Sequence, residues 1–239
     1  MTGRERLIAA LDVRDARTAR ELAGRLRGAV GLFKIGLELF CGEGPAIVRE
    51  IGALGPVFLD LKLHDIPATV EGAARQIGRL GVAMATVHAG AGPAALAAAV
   101  RGAAAGAREA GHSPPVLLAV TVLTSLDDAA VAATGFAGTA QDAALRLARL
   151  ARQSGVPGLV CSPRELPSLR RELGASAVLV TPGIRPGGAA RDDQARTATA
   201  AEAVASGADY LVVGRPLREA PDPRAAAEAL ARELDALRT

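Results

Sequence analysis

Eight times along the chain a short aliphatic run gives way to a longer, alanine-rich segment of helical period, and this alternation limits the fold more than any other feature. The runs are LIAALD (7–12), LFKIGL (32–37), VFLDLK (57–62), MATVHA (84–89), VLLAVT (116–121), GLVCS (158–162), AVLVTP (177–182) and YLVVG (210–214). Helices are predicted near 15–28, 42–52, 67–80, 92–110, 139–154, 163–173, 197–206 and 222–237, several opening on Asp, Ser or Pro as helices tend to. Eight strand-then-helix units within 239 residues predict an α/β protein, a (β/α)8 TIM barrel filling 1–239 as a single domain. The competing arrangement is a doubly wound open sheet. It usually has fewer strands, and LDVRDA stands after the first strand where a glycine-rich dinucleotide fingerprint belongs.

A barrel places its chemistry at the C-terminal strand ends, and the polar residues fall there. Asp12, Asp60, Lys62, His88 and Thr121 end predicted strands, Lys34 lies within one, and Arg215 follows the last. The segment FLDLKLHDIPAT (58–69) is the most unusual, because buried strands avoid charge unless it is paired. Alternation puts Phe58, Asp60 and Lys62 on the axial face and Leu59, Leu61 and Leu63 toward the helices. Lys34 from the adjacent strand and Asp65 from the following loop are expected to extend the pair into a network of two acids and two amines, each holding its partner ionised. The chain has 26 arginines but only two lysines, Lys34 and Lys62. Arginine keeps its proton whereas lysine can exchange one, so these two positions are read as places that require an amine.

FLDLKLHDIPATV resembles the D-x-K-x-x-D-I-P-x-T signature of the orotidine 5'-phosphate decarboxylase family. LIAALD, FKIG, VTVLTS, TPGIRP and DYLVVGRPL extend the likeness along the chain. The resemblance implies decarboxylation of orotidine 5'-phosphate to UMP, the last step of de novo pyrimidine synthesis, with no cofactor and no metal. It assigns Lys62 as proton donor to C6, with Lys34 and Asp60 beside the ribose and reacting carboxylate, and Asp12 on the ribose hydroxyls. Asp65, Ile66 and Thr69 are implied to reach the neighbouring site of a homodimer. Thr124 and Ser125 are assigned to the pyrimidine edge, Pro182 to Arg185 to the base and phosphate side, Gln194 to a closing loop, and Gly214 with Arg215 to the phosphate. The loop PGGAARDDQ after Arg185 departs from the family pattern, as does TATAAEA, which lacks a proline often found there.

Composition narrows the alternatives. With four Phe, one Tyr and no Trp, there is little to stack on bases, and a formal charge of +3 without a basic run gives no nucleic-acid patch. No stretch approaches the roughly 18 apolar residues of a membrane span, and MTGRERLIAALDV carries charge where a signal peptide needs apolar residues, so a cytoplasmic protein is expected. A fused transferase domain is not expected. Cys41 and Cys161 have no metal-ligand spacing and are expected as small core residues. His64 and His88 are read as structural, the latter bonded within the barrel mouth, and His112 as solvated. Two rivals remain: a metal-dependent sugar-phosphate decarboxylase or aldolase on the same barrel, and a non-catalytic phosphate-binding barrel.

Overall fold

The computed structural model describes residues 1–185 and 198–237. Eight parallel strands close into a barrel in chain order: β1 (Leu7–Ala10), β2 (Leu32–Ile35), β3 (Val57–Leu63), β4 (Met84–His88), β5 (Val116–Val120), β6 (Gly158–Val160), β7 (Val178–Thr181) and β8 (Tyr210–Val213). Ring closure is made by β1 on β8, with Ile8 opposite Val212. This excludes the open doubly wound sheet.

The helices are α1 (Gly3–Arg6), α2 (Ala16–Leu26), α3 (Leu37–Glu43), α4 (Pro45–Gly52), α5 (Pro67–Arg79), α6 (Pro93–Glu109), α7 (Asp128–Ala133), α8 (Ala140–Gln153), α9 (Leu166–Leu173), α10 (Ala200–Ala205), α11 (Arg215–Arg218) and α12 (Pro223–Ala236). Their starts follow local chemistry. Asp15, Asp127, Thr139, Thr199 and Asp222 each accept a backbone N–H of the first turn. The helix predicted at 42–52 is two helices, because Gly44, at φ +64, breaks the run between α3 and α4.

Alternation along the strands sorts the core into two layers. Ile8, Ala10, Leu32, Phe58, Met84, Leu118, Val180 and Val212 fill the barrel interior. Leu7, Ala9, Phe33, Ile35, Leu59, Ala85, Leu117, Leu179 and Leu211 face the helices, with Leu61 and Leu63 packed partly against this layer. An apolar layer therefore fills the barrel interior, and Asp60 and Lys62 lie beyond it toward the C-terminal end of β3. Cys161 is buried as expected, whereas Cys41, expected in the core, is exposed; it sits in α3, which begins at Leu37 rather than near residue 42. No helix among the described residues is long and apolar enough to cross a membrane.

Candidate active site

The mouth holds a row of alternating charges contributed by three adjacent strands. Lys34 Nζ on β2 donates to Asp12 Oδ1 at 2.8 Å, just beyond β1, and lies 3.9 Å from Asp60 Oδ2 on β3. Lys62 Nζ donates to both oxygens of Asp60, at 3.0 and 2.9 Å. Lys34 and Asp60 are largely buried, while Lys62 has 31% of its side chain exposed and marks the solvent end of the row. Each ammonium thus faces carboxylate. Gly36 makes room for this packing, since a Cβ there would stand 3.2 Å from both Asp12 Oδ1 and Lys34 Nζ.

The row differs from the expected one at its ends. Asp65 was expected to complete it; within one chain its carboxylate instead accepts the N–H of Ile66 at 2.7 Å on an exposed segment and pairs with neither lysine. Asp12 is the second acid. Asp65 lies past the end of β3 at Leu63, on the exposed segment before Pro67 opens α5.

Lys62 is placed by a bulge that alternation alone does not predict. Leu59 pairs with Ala85 and Leu63 with Val87, so three residues of β3 oppose the single Thr86 of β4. Lys62 takes a left-handed backbone at φ +51, the one non-glycine residue to do so among those described. Its N–H donates to Thr86 Oγ1 at 2.8 Å, and the Thr86 hydroxyl donates to Asp60 Oδ1 at 2.9 Å.

A cleft of about 600 Å³ opens over the row. Its described walls carry five cations, Lys34, Lys62, Arg185, Arg215 and Arg218, against three carboxylates, Asp12, Glu38 and Asp60. The charges are segregated. Acid and amine alternate on the β1–β3 side, whereas the arginines follow β7 and β8, where this fold habitually binds phosphate. Gly214 lines the cleft at the start of α11, and Pro182 and Thr124 also face it. Ser125 is exposed and does not line the cleft, and Gln194 lies outside the described residues. Ile66 and Thr69 are exposed, Ile66 at 66%.

Sequence alone assigns no role to Thr86, which bonds the row from β4, or to Glu38 and Arg218 in the cleft wall. Arg218 donates to the carbonyl of Asp12 at 2.7 Å, tying α11 to the end of β1. Its only signal was a second Arg three residues after Arg215. At the rim, His64 and His88 stack with ring centroids 5.0 Å apart. His88 Nδ1 accepts the N–H of Gly90, and burial, then the charges of His64 and Lys62, push its pKa below the ordinary imidazole value. His112 is exposed. Among the described residues, no three His, Cys, Asp or Glu side chains converge as a metal-binding group would.

The closed barrel and its charged, arginine-bearing cleft define the class: a (β/α)8-barrel enzyme with its candidate site at the C-terminal strand ends. Residues 5–230 match the family model described as orotidine 5'-phosphate decarboxylase / HUMPS family. The chain is 57% identical over 228 residues to an Anaeromyxobacter sp. (strain K) protein named orotidine 5'-phosphate decarboxylase, covering 95% of this chain and 97% of the relative. It is 48% identical over 237 residues to one of the same name from Moorella thermoacetica, covering 98% and 94%. The crystal structure of orotidine 5'-phosphate decarboxylase from Lactobacillus acidophilus superposes with a TM-score of 0.86 at 37% identity, covering 96% of this chain and 98% of that one. The chain belongs to the orotidine 5'-phosphate decarboxylase / HUMPS family.

Proposed function

We propose that this chain converts orotidine 5'-phosphate to UMP and CO2 in pyrimidine synthesis, without metal or cofactor, and that Lys62 protonates C6. The observation that carries the reading is the Asp12–Lys34–Asp60–Lys62 row facing an arginine-lined corner across one cleft. The names of the relatives favour this substrate within a family that holds more than one chemistry.

The substrate suits the walls. Its phosphate would lie against Gly214, Arg215 and Arg185, its ribose against Asp12 and Lys34, and its pyrimidine toward Thr124 and Pro182. In the reaction the bond from C6 to the carboxylate breaks, CO2 departs, and the electron pair stays on C6. No ring carbonyl delocalises that pair well, so an ammonium fixed beside C6 lowers the barrier electrostatically. Lys62 Nζ then gives its proton to C6 and regains one from water. Asp60 holds that ammonium in place before the substrate arrives. Phosphate binding, remote from the reacting carbon, supplies energy for ordering the substrate.

We further propose a homodimer in which Asp65, Ile66 and Thr69 serve the neighbouring site. Support comes from their exposure and from Ile66, a large apolar side chain left in water on the segment that follows Lys62.

The deciding assay is turnover of orotidine 5'-phosphate by purified protein in excess chelator, following CO2 and UMP. Absent turnover refutes the activity, and turnover that requires added metal refutes the metal-free mechanism. Lys62→Arg is expected to be inactive; a near-normal rate would remove Lys62 as donor. Mixing inactive Asp65→Ala and Lys62→Ala subunits is expected to restore activity, and a mixture as inactive as its parents would argue against shared sites.

A further inference from the structure

We propose that Thr86 is the positioning residue of this site, the group that sets the Lys62 backbone and the Asp60 carboxylate in mutual register. The proposal rests on the decarboxylase reading above.

The argument starts from the mismatch between β3 and β4. Between the pairs Leu59 with Ala85 and Leu63 with Val87, β3 spends three residues where β4 spends one. A ladder interrupted in this way leaves the bulged residues without strand partners. The N–H of Lys62 has therefore lost a ladder carbonyl, and Thr86 Oγ1 accepts it at 2.8 Å. A hydroxyl has one proton to give as well as lone pairs to offer. The Thr86 proton goes to Asp60 Oδ1 at 2.9 Å. One oxygen atom thus fixes the main chain of the proton donor and the side chain of its counter-ion.

Thr86 suits this task. Its side chain is buried, at 1% exposure, and β-branching restricts its χ1, so the hydroxyl has little freedom to turn away. The strained backbone of Lys62, at φ +51, persists only where surroundings over-determine it. Thr86 is the side chain that does so from the adjacent strand.

The test compares Thr86→Val, which keeps the shape and removes the hydroxyl, with Thr86→Ser, which keeps the hydroxyl. UMP binding by calorimetry counts folded sites, so that turnover is expressed per site. Thr86→Val is expected to lose about 100-fold in kcat, the cost of misplacing a reacting group, while KM and UMP affinity hold. Thr86→Ser is expected to retain most of the rate. A purely structural Thr86 would lower melting temperature and site count without changing kcat per site. Near-normal kcat in Thr86→Val, or Thr86→Ser as slow as Thr86→Val, overturns the proposal. Should Thr86→Val not fold, Thr86→Ala supplies the same comparison. An unsubstituted protein that binds UMP yet does not turn over orotidine 5'-phosphate overturns the decarboxylase reading itself, and this proposal with it.

Discussion

Replacing Lys62 by glycine is expected to give a more stable protein than replacing it by alanine. Both substitutions remove the ammonium and its two hydrogen bonds to Asp60, so those losses cancel in the comparison. Both keep the backbone N–H that Thr86 accepts. What remains is the left-handed conformation at φ +51. A side chain with a Cβ costs about 1–2 kcal/mol there. Glycine escapes that cost but gives back about 0.4–1 kcal/mol through the greater freedom of its unfolded chain. The balance favours Lys62→Gly by about 1 kcal/mol, a difference of about 2–4 °C in melting temperature for a chain of this size. Thermal or urea denaturation of the two variants, followed by circular dichroism, measures it directly. Lys62→Ala melting at or above Lys62→Gly would refute the left-handed bulge and, with it, the account of how Lys62 reaches the cleft. Both variants are expected to be inactive, so stability and activity would separate at one residue.

Arg215→Ala is expected to lower kcat/KM for orotidine 5'-phosphate about 10- to 100-fold, the worth of one charged hydrogen bond to phosphate; an unchanged value would move the phosphate elsewhere. His88 has a pKa below that of an unfolded histidine, so its contribution to stability is intact above about pH 6.5 and is lost as pH falls toward the native value. Subtracting the stability curve of His88→Gln from that of the unsubstituted protein should show this loss on acidification, and a flat difference would contradict it. Burial pushes the Cys161 thiol up to about 12, whereas Cys41 is exposed. A thiol reagent is therefore expected to modify one cysteine in the native protein and both in denaturant, and rapid native labelling of Cys161 would refute its placement.

Much of the fold was legible because strand and helix periods are written locally. All eight apolar runs became strands, seven of them shorter and β3 longer by one residue: LIAALD ends as a strand at Ala10, since the strand leaves the ladder before Asp12. Short helices α1, α7 and α11 went unseen, as four to six residues are too few to show a period. The exposed Cys41 was misplaced for the same local reason, because α3 begins at Leu37 rather than after residue 42. In the site, alternation correctly put the leucines of β3 against the helices and Phe58 in the interior. It gave no sign of the bulge, which depends on how far β4 has slipped along β3.

By itself the sequence determined the eight strand–helix units, the polar ends of the strands and the scarcity of lysine that drew attention to Lys34 and Lys62. These are properties of neighbours along the chain, and spacing preserves them. Only the tertiary structure decided which charges meet. Closing β8 on β1 brings Arg218 to the carbonyl of Asp12, 206 residues away, and strand register puts Thr86 under Asp60 and Lys62. It also turned Asp65 out of its own barrel and put Asp12 in the row instead. Such contacts are set by ring closure and register, quantities that belong to the whole barrel, and no local pattern of residues contains them.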